Sequence, residues 1–311
     1  MARADGTQIF DVYLIDVAWV RSISQIYRGR RPWYRSTRRD LEYCVMSAPT
    51  LPKRFGRQAF GENPASYHSS RPEYPDWVYD TLRSRCGLGG NVATFEVGAG
   101  TGTATRRLLE LGADPLTAIE PDQRLANFLR KNNPDKALQV LVAAFEDAAL
   151  EEKAFDLGVC ATAFHWLDED RALVKIASLL RPGGWWAAVW NVFGDDSRPD
   201  PFHEATKELL EAPASPSAGE RGIPFGLDTA ARSAALKHSG AFDKVESRTS
   251  QWSLVLDADQ TVALYATYSN VNARPDREAV LAELGRIALN EFEGRVVRNM
   301  TTSLYIAHRA N

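Results

Sequence analysis

From Asn91 onward, short apolar runs alternate with amphipathic helical patterns. Strands separated by helices cannot pair through tight hairpins, so each connection must cross over, which dictates βαβ units and a parallel sheet covered by helices. The apolar runs place strands near 92–97, 115–120, 138–142, 155–161 and 184–190. Between them, "TATRRLLELG" closes at Gly112, and "DQRLANFLRKNN" starts behind Pro121. The stretch "DEDRALVKIASLLRPGG" carries Ala172, Leu173, Ile176, Ala177 and Leu180 on one helical face. Asp168 suits its N-cap, and Pro182, Gly183 and Gly184 end it before the fifth strand. After Trp190 the regularity weakens, and the Pro/Ser/Gly-rich "GDDSRPDPFHEATKELLEAPASPSAGERG" suits a lid or substrate-covering insertion. Strand-like "KVESRTSQWSLVL" and "TTSLYIAHR" then flank a helical "DREAVLAELGRIALNEF". The expected fold is α/β: a doubly wound, mostly parallel, seven-stranded sheet with a lid insertion after strand five.

The first fifty or so residues depart from this order. Here "YRGRRPWYRSTRRD" gathers Arg28, Arg30, Arg31, Arg35, Arg38 and Arg39 around aromatics without a period. A basic arm touching nucleic acid through phosphate charge and stacking is one reading. A loosely attached extension is another, and translation starting at Met46 a third. We take 1–53 as an extension, flexible or not native, and 54–311 as the folded domain. The formal net charge of −3 and pI near 6.0 argue against a surface built for nucleic acid. Cys44, Cys86 and Cys160 are odd in number and have no CxxC spacing, so neither a disulfide framework nor a metal site is indicated, and a reducing cytoplasmic setting is expected. The run "IFDVYLIDVAWV" is broken by Asp11 and Asp16, is too short to span a bilayer, and lacks a signal-peptide pattern.

The stretch "TFEVGAGTGTATRRLLELGA" carries the chemistry. Gly98, Gly100 and Gly102 follow a strand and open a helix, the place where doubly wound sheets bind ligands. The spacing is GxGxG, Thr103 stands where a third dinucleotide-type glycine would fall, and no Lys follows to make a phosphate loop. Glu96, two positions before the first glycine, would repel a pyrophosphate and attract an ammonium or sulfonium. Glu120 in "LTAIEPD" ends the next strand, where a carboxylate accepts both hydroxyls of a ribose. A nucleoside with a positive amino-acid tail satisfies both acids, and S-adenosylmethionine is such a molecule.

"FEVGAGTG" followed by "AIEPD" resembles the first two motifs of class I S-adenosylmethionine-dependent methyltransferases, a Rossmann-like fold. The likeness extends through "ASYHSSRPEYP", "AAFEDAAL" and "FDLGVCATAFHWLDEDRALVKIASLLRPGGWWAAVW", from Phe55 to the C-terminus, and is similar to the small-molecule branch that includes trans-aconitate methyltransferase-like and type 11 proteins. It implies Glu96 near the methionine amino group, backbone approach at Gly98, Gly100 and Gly102, and Glu120 on the ribose with Pro121 beside it. The family's usual acid for the adenine amino group is replaced by Ala144, with Glu146 two residues on. Phe145 either supplies an apolar adenine contact or is plain core.

Methyl transfer from a sulfonium is an in-line displacement that chiefly needs alignment and exclusion of water. An alcohol or phenol acceptor would profit from a base, and His165, just past strand four, is the candidate. The alternative is a histidine that fixes the turn, with Trp166 packing on the sheet. Tyr67, Arg71, Tyr74 and Trp166 are candidate substrate contacts; Arg71 could pair with a carboxylate of cofactor or substrate, or be a surface arginine beside a turn fixed by Pro72 and Pro75. Trp185, Trp186 and Trp190 on strand five read as core, and Tyr265, Tyr268 and Ser269 fall on a lid helix without an assigned role. The expected function is methyl transfer from S-adenosylmethionine to an O, N or C nucleophile of a small molecule. The alternatives are an RNA- or protein-directed methyltransferase and a non-catalytic cofactor-binding module of the same fold.

Overall fold

The computed structural model describes residues 50–210, 213–219 and 222–311, all within the unit Ala48–Asn311. The arginine-rich segment, Cys44 and Met46 lie outside the described residues. Seven strands form one sheet: β1 Val92–Val97, β2 Ala113–Ile119, β3 Leu138–Leu141, β4 Phe155–Ala161, β5 Leu180–Val192, β6 Phe242–Leu256 and β7 Val296–Arg309. Their order is β3-β2-β1-β4-β5-β7-β6. The first five are parallel, and β7 inserts antiparallel between β5 and β6. Strand order reverses between β1 and β4, so the chain leaving β1 opens into a crevice at the C-terminal sheet edge.

The helices are α1 Pro64–Ser70, α2 Asp76–Cys86, α3 Thr103–Glu110, α4 Gln123–Asn132, α5 Glu169–Leu179, α6 Pro201–Thr206, α7 Thr229–His238, α8 Ala258–Tyr265, α9 Ser269–Asn272 and α10 Arg277–Asn290. On one sheet face, Phe95, Phe145 and Trp186 pack with Leu173 and Ile176 of α5 and Leu236 of α7. On the other, Leu116, Leu157, Val159 and Ile306 meet Val78 and Leu82 of α2 and Leu108 of α3. Strands covered on both faces explain why their sequences read as near-continuous apolar runs. A third cluster, with Phe202, Leu264, Val280, Leu284 and Val296, makes a helical cap from α6 and α8 to α10. The β6–β7 pair continues to Leu256↔Val296, beyond the last β5–β7 pair at Val192↔Thr301, and this ribbon carries the cap.

Asp168 caps α5 by accepting from the Arg171 N–H at 3.2 Å, but the helix ends at Leu179. Leu180, expected on the helical face, is instead extended (φ −72°, ψ 144°), fully buried and paired with Phe155. Pro182 disfavours helix at Arg181 and so closes the helix early. Regular pairing resumes at Trp185 after a register shift. Strand β7 also starts five residues before the apolar "TTSLYIAHR", because Val296–Met300 pair with β6 despite Arg298 and Asn299. At the start of the described chain, Thr50 bridges Ala214, and the Leu51 N–H donates to the Ala214 carbonyl at 2.9 Å. Among the described residues, no helix is long and apolar enough to cross a membrane, and no group of three or more His, Cys, Asp or Glu could hold a metal ion.

Candidate active site

The loop after β1 is held by its own backbone: the Gly98 and Ala99 N–H groups donate to the Ile119 carbonyl at 2.9 and 3.2 Å, and Gly102 N–H to Ala99 O at 3.0 Å. Gly98, Gly100 and Gly102 have φ of 68°, 58° and 92°, a region that favours glycine. Their surroundings differ. A Cβ on Gly98 would lie 2.5 Å from Ala163 Cβ, and one on Gly102 2.4 Å from Leu129 Cδ1, whereas one on Gly100 would meet nothing within 4 Å. Gly102 therefore serves close packing of α3 on α4, while Gly98 and Gly100 line a cavity of about 700 Å³. That volume suits a cofactor together with a small second ligand.

The two acids flank the loop. Glu96 is 1% exposed, and its Oε2 accepts from the Thr105 hydroxyl at 2.6 Å. Burial pushes its pKa up to about 8, with the neighbouring Glu120 adding to the rise. Glu120 accepts the Gly100 N–H at 2.8 Å on Oε2 and the Asp122 N–H at 2.9 Å on Oε1, and burial raises its pKa to about 7. Glu120 and Pro121 line the large cavity, and Glu96 a smaller adjoining one. At the loop end of the large cavity lie Ala144, Phe145 and Glu146. Phe145 is buried and stacks parallel to Phe95 with centroids 6.3 Å apart, so it is both core and cavity wall. Glu146 pairs with Arg57 at 3.3 Å.

The stretch around α1 contributes the other wall. Arg71 caps α1, donates through Nη2 to the Thr267 carbonyl at 2.7 Å, and lies 5.1 Å over the Tyr67 ring and 5.2 Å from that of Tyr268. Among the described residues, its buried Nε has no hydrogen-bond partner, and neither has the buried Tyr268 hydroxyl. Tyr67 and Arg71 line both cavities; Tyr74 lines only the smaller, where its hydroxyl is 2.7 Å from Thr162 Oγ1 and burial raises its pKa. Thr162 has φ 55°, an uncommon conformation for a non-glycine residue, directly after β4.

His165 and Trp166 sit on a short 3₁₀ turn after β4, and both line the large cavity. The Trp190 indole N–H donates to His165 Nδ1 at 3.2 Å. Burial, with Arg71 and Lys53 nearby, pushes the His165 pKa down to about 3. Trp166 meets Phe60 edge to face at 6.0 Å, and Gly56 leaves room for its ring, since a Cβ there would lie 2.3 Å from Trp166 Cδ2.

Sequence reasoning missed several wall residues. Trp190, taken as core by strand alternation, is buried yet lines the cavity. Asn191 donates to the Glu73 carbonyl at 3.1 Å and accepts from the Thr302 hydroxyl at 2.7 Å; a polar residue ending an apolar strand was its available signal. Tyr265, Tyr268 and Ser269, left without a role, also line the large cavity. Arg298 had no signal, since its partner Asp200 is 98 residues away.

This geometry, a switch-point crevice with an acid-flanked glycine loop, is that of a doubly wound, Rossmann-like ligand-binding fold. A family model described as a methyltransferase domain matches residues 95–188. An uncharacterised methyltransferase of Mycobacterium tuberculosis is 34% identical over 137 residues, covering 43% of this chain and 52% of that protein. One from Schizosaccharomyces pombe is 29% identical over 154 residues, covering 50% and 59% respectively. The alignments thus span about half the length of these curated relatives. Among solved structures, a candidate type II methyltransferase from Anaeromyxobacter dehalogenans superposes with TM-score 0.51 at 24% identity, covering 77% of this chain and 96% of that one. Phosphoethanolamine N-methyltransferase 2 of Haemonchus contortus, solved with S-adenosyl-L-methionine, gives 0.51 at 12% identity, covering 81% and 57%. Residues 95–188 thus match a methyltransferase domain, and the chain shares the Rossmann-like fold of solved methyltransferases.

Proposed function

We propose that the chain binds S-adenosylmethionine at the glycine loop and transfers its methyl group to a small molecule held in the large cavity. The arrangement of Glu96, Gly100 and Glu120 around one crevice carries this reading. The residues fit the cofactor. Glu96 keeps one oxygen without a hydrogen bond among the described residues, ready for an ammonium. The space where a Gly100 Cβ would stand is open, so a ligand can approach the backbone. Each Glu120 oxygen takes one backbone N–H and keeps a lone pair for a hydroxyl. Phe145 and Pro121 offer apolar surface beside it.

Bound S-adenosylmethionine supplies a methyl group on a sulfonium, electrophilic enough that the protein has mainly to position the acceptor. The chain's own contribution is a walled site: Trp166, Trp190 and Tyr268 exclude water on the acceptor side, and Leu210, Ala214 and Pro224 from the stretch after β5 line it too. A concave cavity of this volume suits a small molecule better than a polymer. A cytosolic location fits the buried free thiols of Cys86 and Cys160. Calorimetric titration with S-adenosylmethionine and S-adenosylhomocysteine, with NAD as control, tests the cofactor. Binding of the first two alone, lost in Gly100→Val, is expected; a folded protein that binds neither refutes the reading.

A further inference from the structure

Resting on the methyltransferase reading above, we propose that His165 is a fixed hydrogen-bond donor to the methyl acceptor, its Nε2–H presented by the positioning residue Trp190, and that the site selects acceptors whose nucleophilic oxygen arrives already deprotonated. The indole N–H can only donate, so the ring atom it meets at 3.2 Å must offer a lone pair. That atom is His165 Nδ1. A neutral imidazole has one N–H, which is thereby placed on Nε2.

Trp190 is itself immobilised. Its ring packs against Phe225 and Tyr305 with centroids at 5.7 and 5.9 Å, and Gly226 makes room for it, since a Cβ there would stand 2.7 Å from Trp190 Cγ. The groups around His165 oppose a second proton. Trp166 and Phe225 wall the ring at 5.3 and 6.2 Å, and the charged groups facing it are Arg71 and Lys53, both cations. No carboxylate hydrogen-bonds the ring among the described residues. A base at this position would have to take a proton on a nitrogen already occupied and hold it buried beside like charges. Donation is what remains.

Two further polar groups of the same cavity, Arg71 Nε and the Tyr268 hydroxyl, are buried without partners among the described residues. Together with Nε2–H they make a wall rich in donors, which an oxyanion satisfies and an ammonium does not. With such an acceptor, an oxygen lone pair forms the new C–O bond as the C–S electron pair leaves to sulfur. The anionic and sulfonium charges cancel, and no proton has to be removed.

The test is ¹⁵N NMR of the full chain labelled at histidine, with the His165 signals assigned by their loss in His165→Gln. Expected is a single neutral Nε2–H form from about pH 5 to 8, giving way to mixed tautomers in Trp190→Phe, which keeps an aromatic ring and removes the donor. Titration of His165 within that range, or an Nδ1–H form in the native chain, overturns the proposal without needing the Trp190 variant to fold. With S-adenosylhomocysteine bound, benzoate should move the Nε2 resonance at concentrations where benzyl alcohol does not; equal responses overturn the oxyanion preference. Calorimetry on the same samples reads cofactor binding separately, so loss of the cofactor reading and loss of this one are distinguishable.

Discussion

Glu96 and Glu120 are carboxylates that the fold holds out of water beside a glycine loop, and on the proposed reading they receive a cation and two hydroxyls. Replacing Glu96 by Ala should weaken S-adenosylmethionine binding by about 1.5–3 kcal/mol, the scale of a hydrogen bond to a charged group; unchanged affinity by calorimetry would take Glu96 out of the site. The same burial has a signature in the ligand-free protein. Glu96 rises to about 8 from 4.5 and Glu120 to about 7, so the folded chain keeps protons that the unfolded chain has released. Stability from these groups is therefore present at low pH and lost as pH rises through about 8. His165 runs the other way: its pKa falls from 6.5 to about 3, so its contribution is lost only as pH drops below 6.5. Of these three groups, only the carboxylates act above pH 6.5. Melting temperatures should fall from pH 6.5 to 8, less steeply in Glu96→Gln; a flat profile in the native protein would count against these protonated carboxylates.

At the scale of elements, the central strands are specified tightly by volume. Gly158 of β4 faces the Phe95 ring, and a Cβ there would lie 2.3 Å from Phe95 Cζ and 2.9 Å from Trp186 Cε3. Gly158→Ala should cost about 1–3 kcal/mol in urea denaturation, as overpacking does; a neutral effect would mean that the aromatic layer yields. Elements were legible where one local rule governed them. Asp168 caps α5 as its position before an apolar-periodic run suggests, α4 starts behind Pro121 with Asp122 as its cap, and Gly112, at φ 98°, follows the end of α3. Boundaries slipped where long-range pairing intervened, as at Leu180 and Val296. Gly102 matched the loop motif but is spent on Leu129, a neighbour no spacing rule names.

Across the whole molecule, the cap is tied to the sheet by a buried ion pair. Asp200 caps α6 by accepting the His203 N–H at 2.7 Å, takes the Asn299 N–H at 2.9 Å, and holds Arg298 Nε at 3.0 Å, while Arg298 also meets the Tyr265 hydroxyl. Asp200→Ala would leave Arg298 buried without its counterion, and a loss of about 3–5 kcal/mol is expected in chemical denaturation. A loss below about 1 kcal/mol would show that the guanidinium finds water or another partner. Because Arg298 lines the cavity floor, weaker acceptor-side binding should accompany the loss.

The sequence alone determined the alternating layers, the glycine loop and the two acids, because each depends on residues within a strand, a turn or a helix of one another. Tertiary structure decided which side chains share the cavity. Arg71 reaches the Thr267 carbonyl across 196 positions, Asp200 finds Arg298 across 98, and Trp190 meets His165 across 25. The proton on His165 belongs to this second kind of information: periodicity put a histidine at the end of β4, but only the packing of β5 against the turn that follows brings an indole N–H to Nδ1.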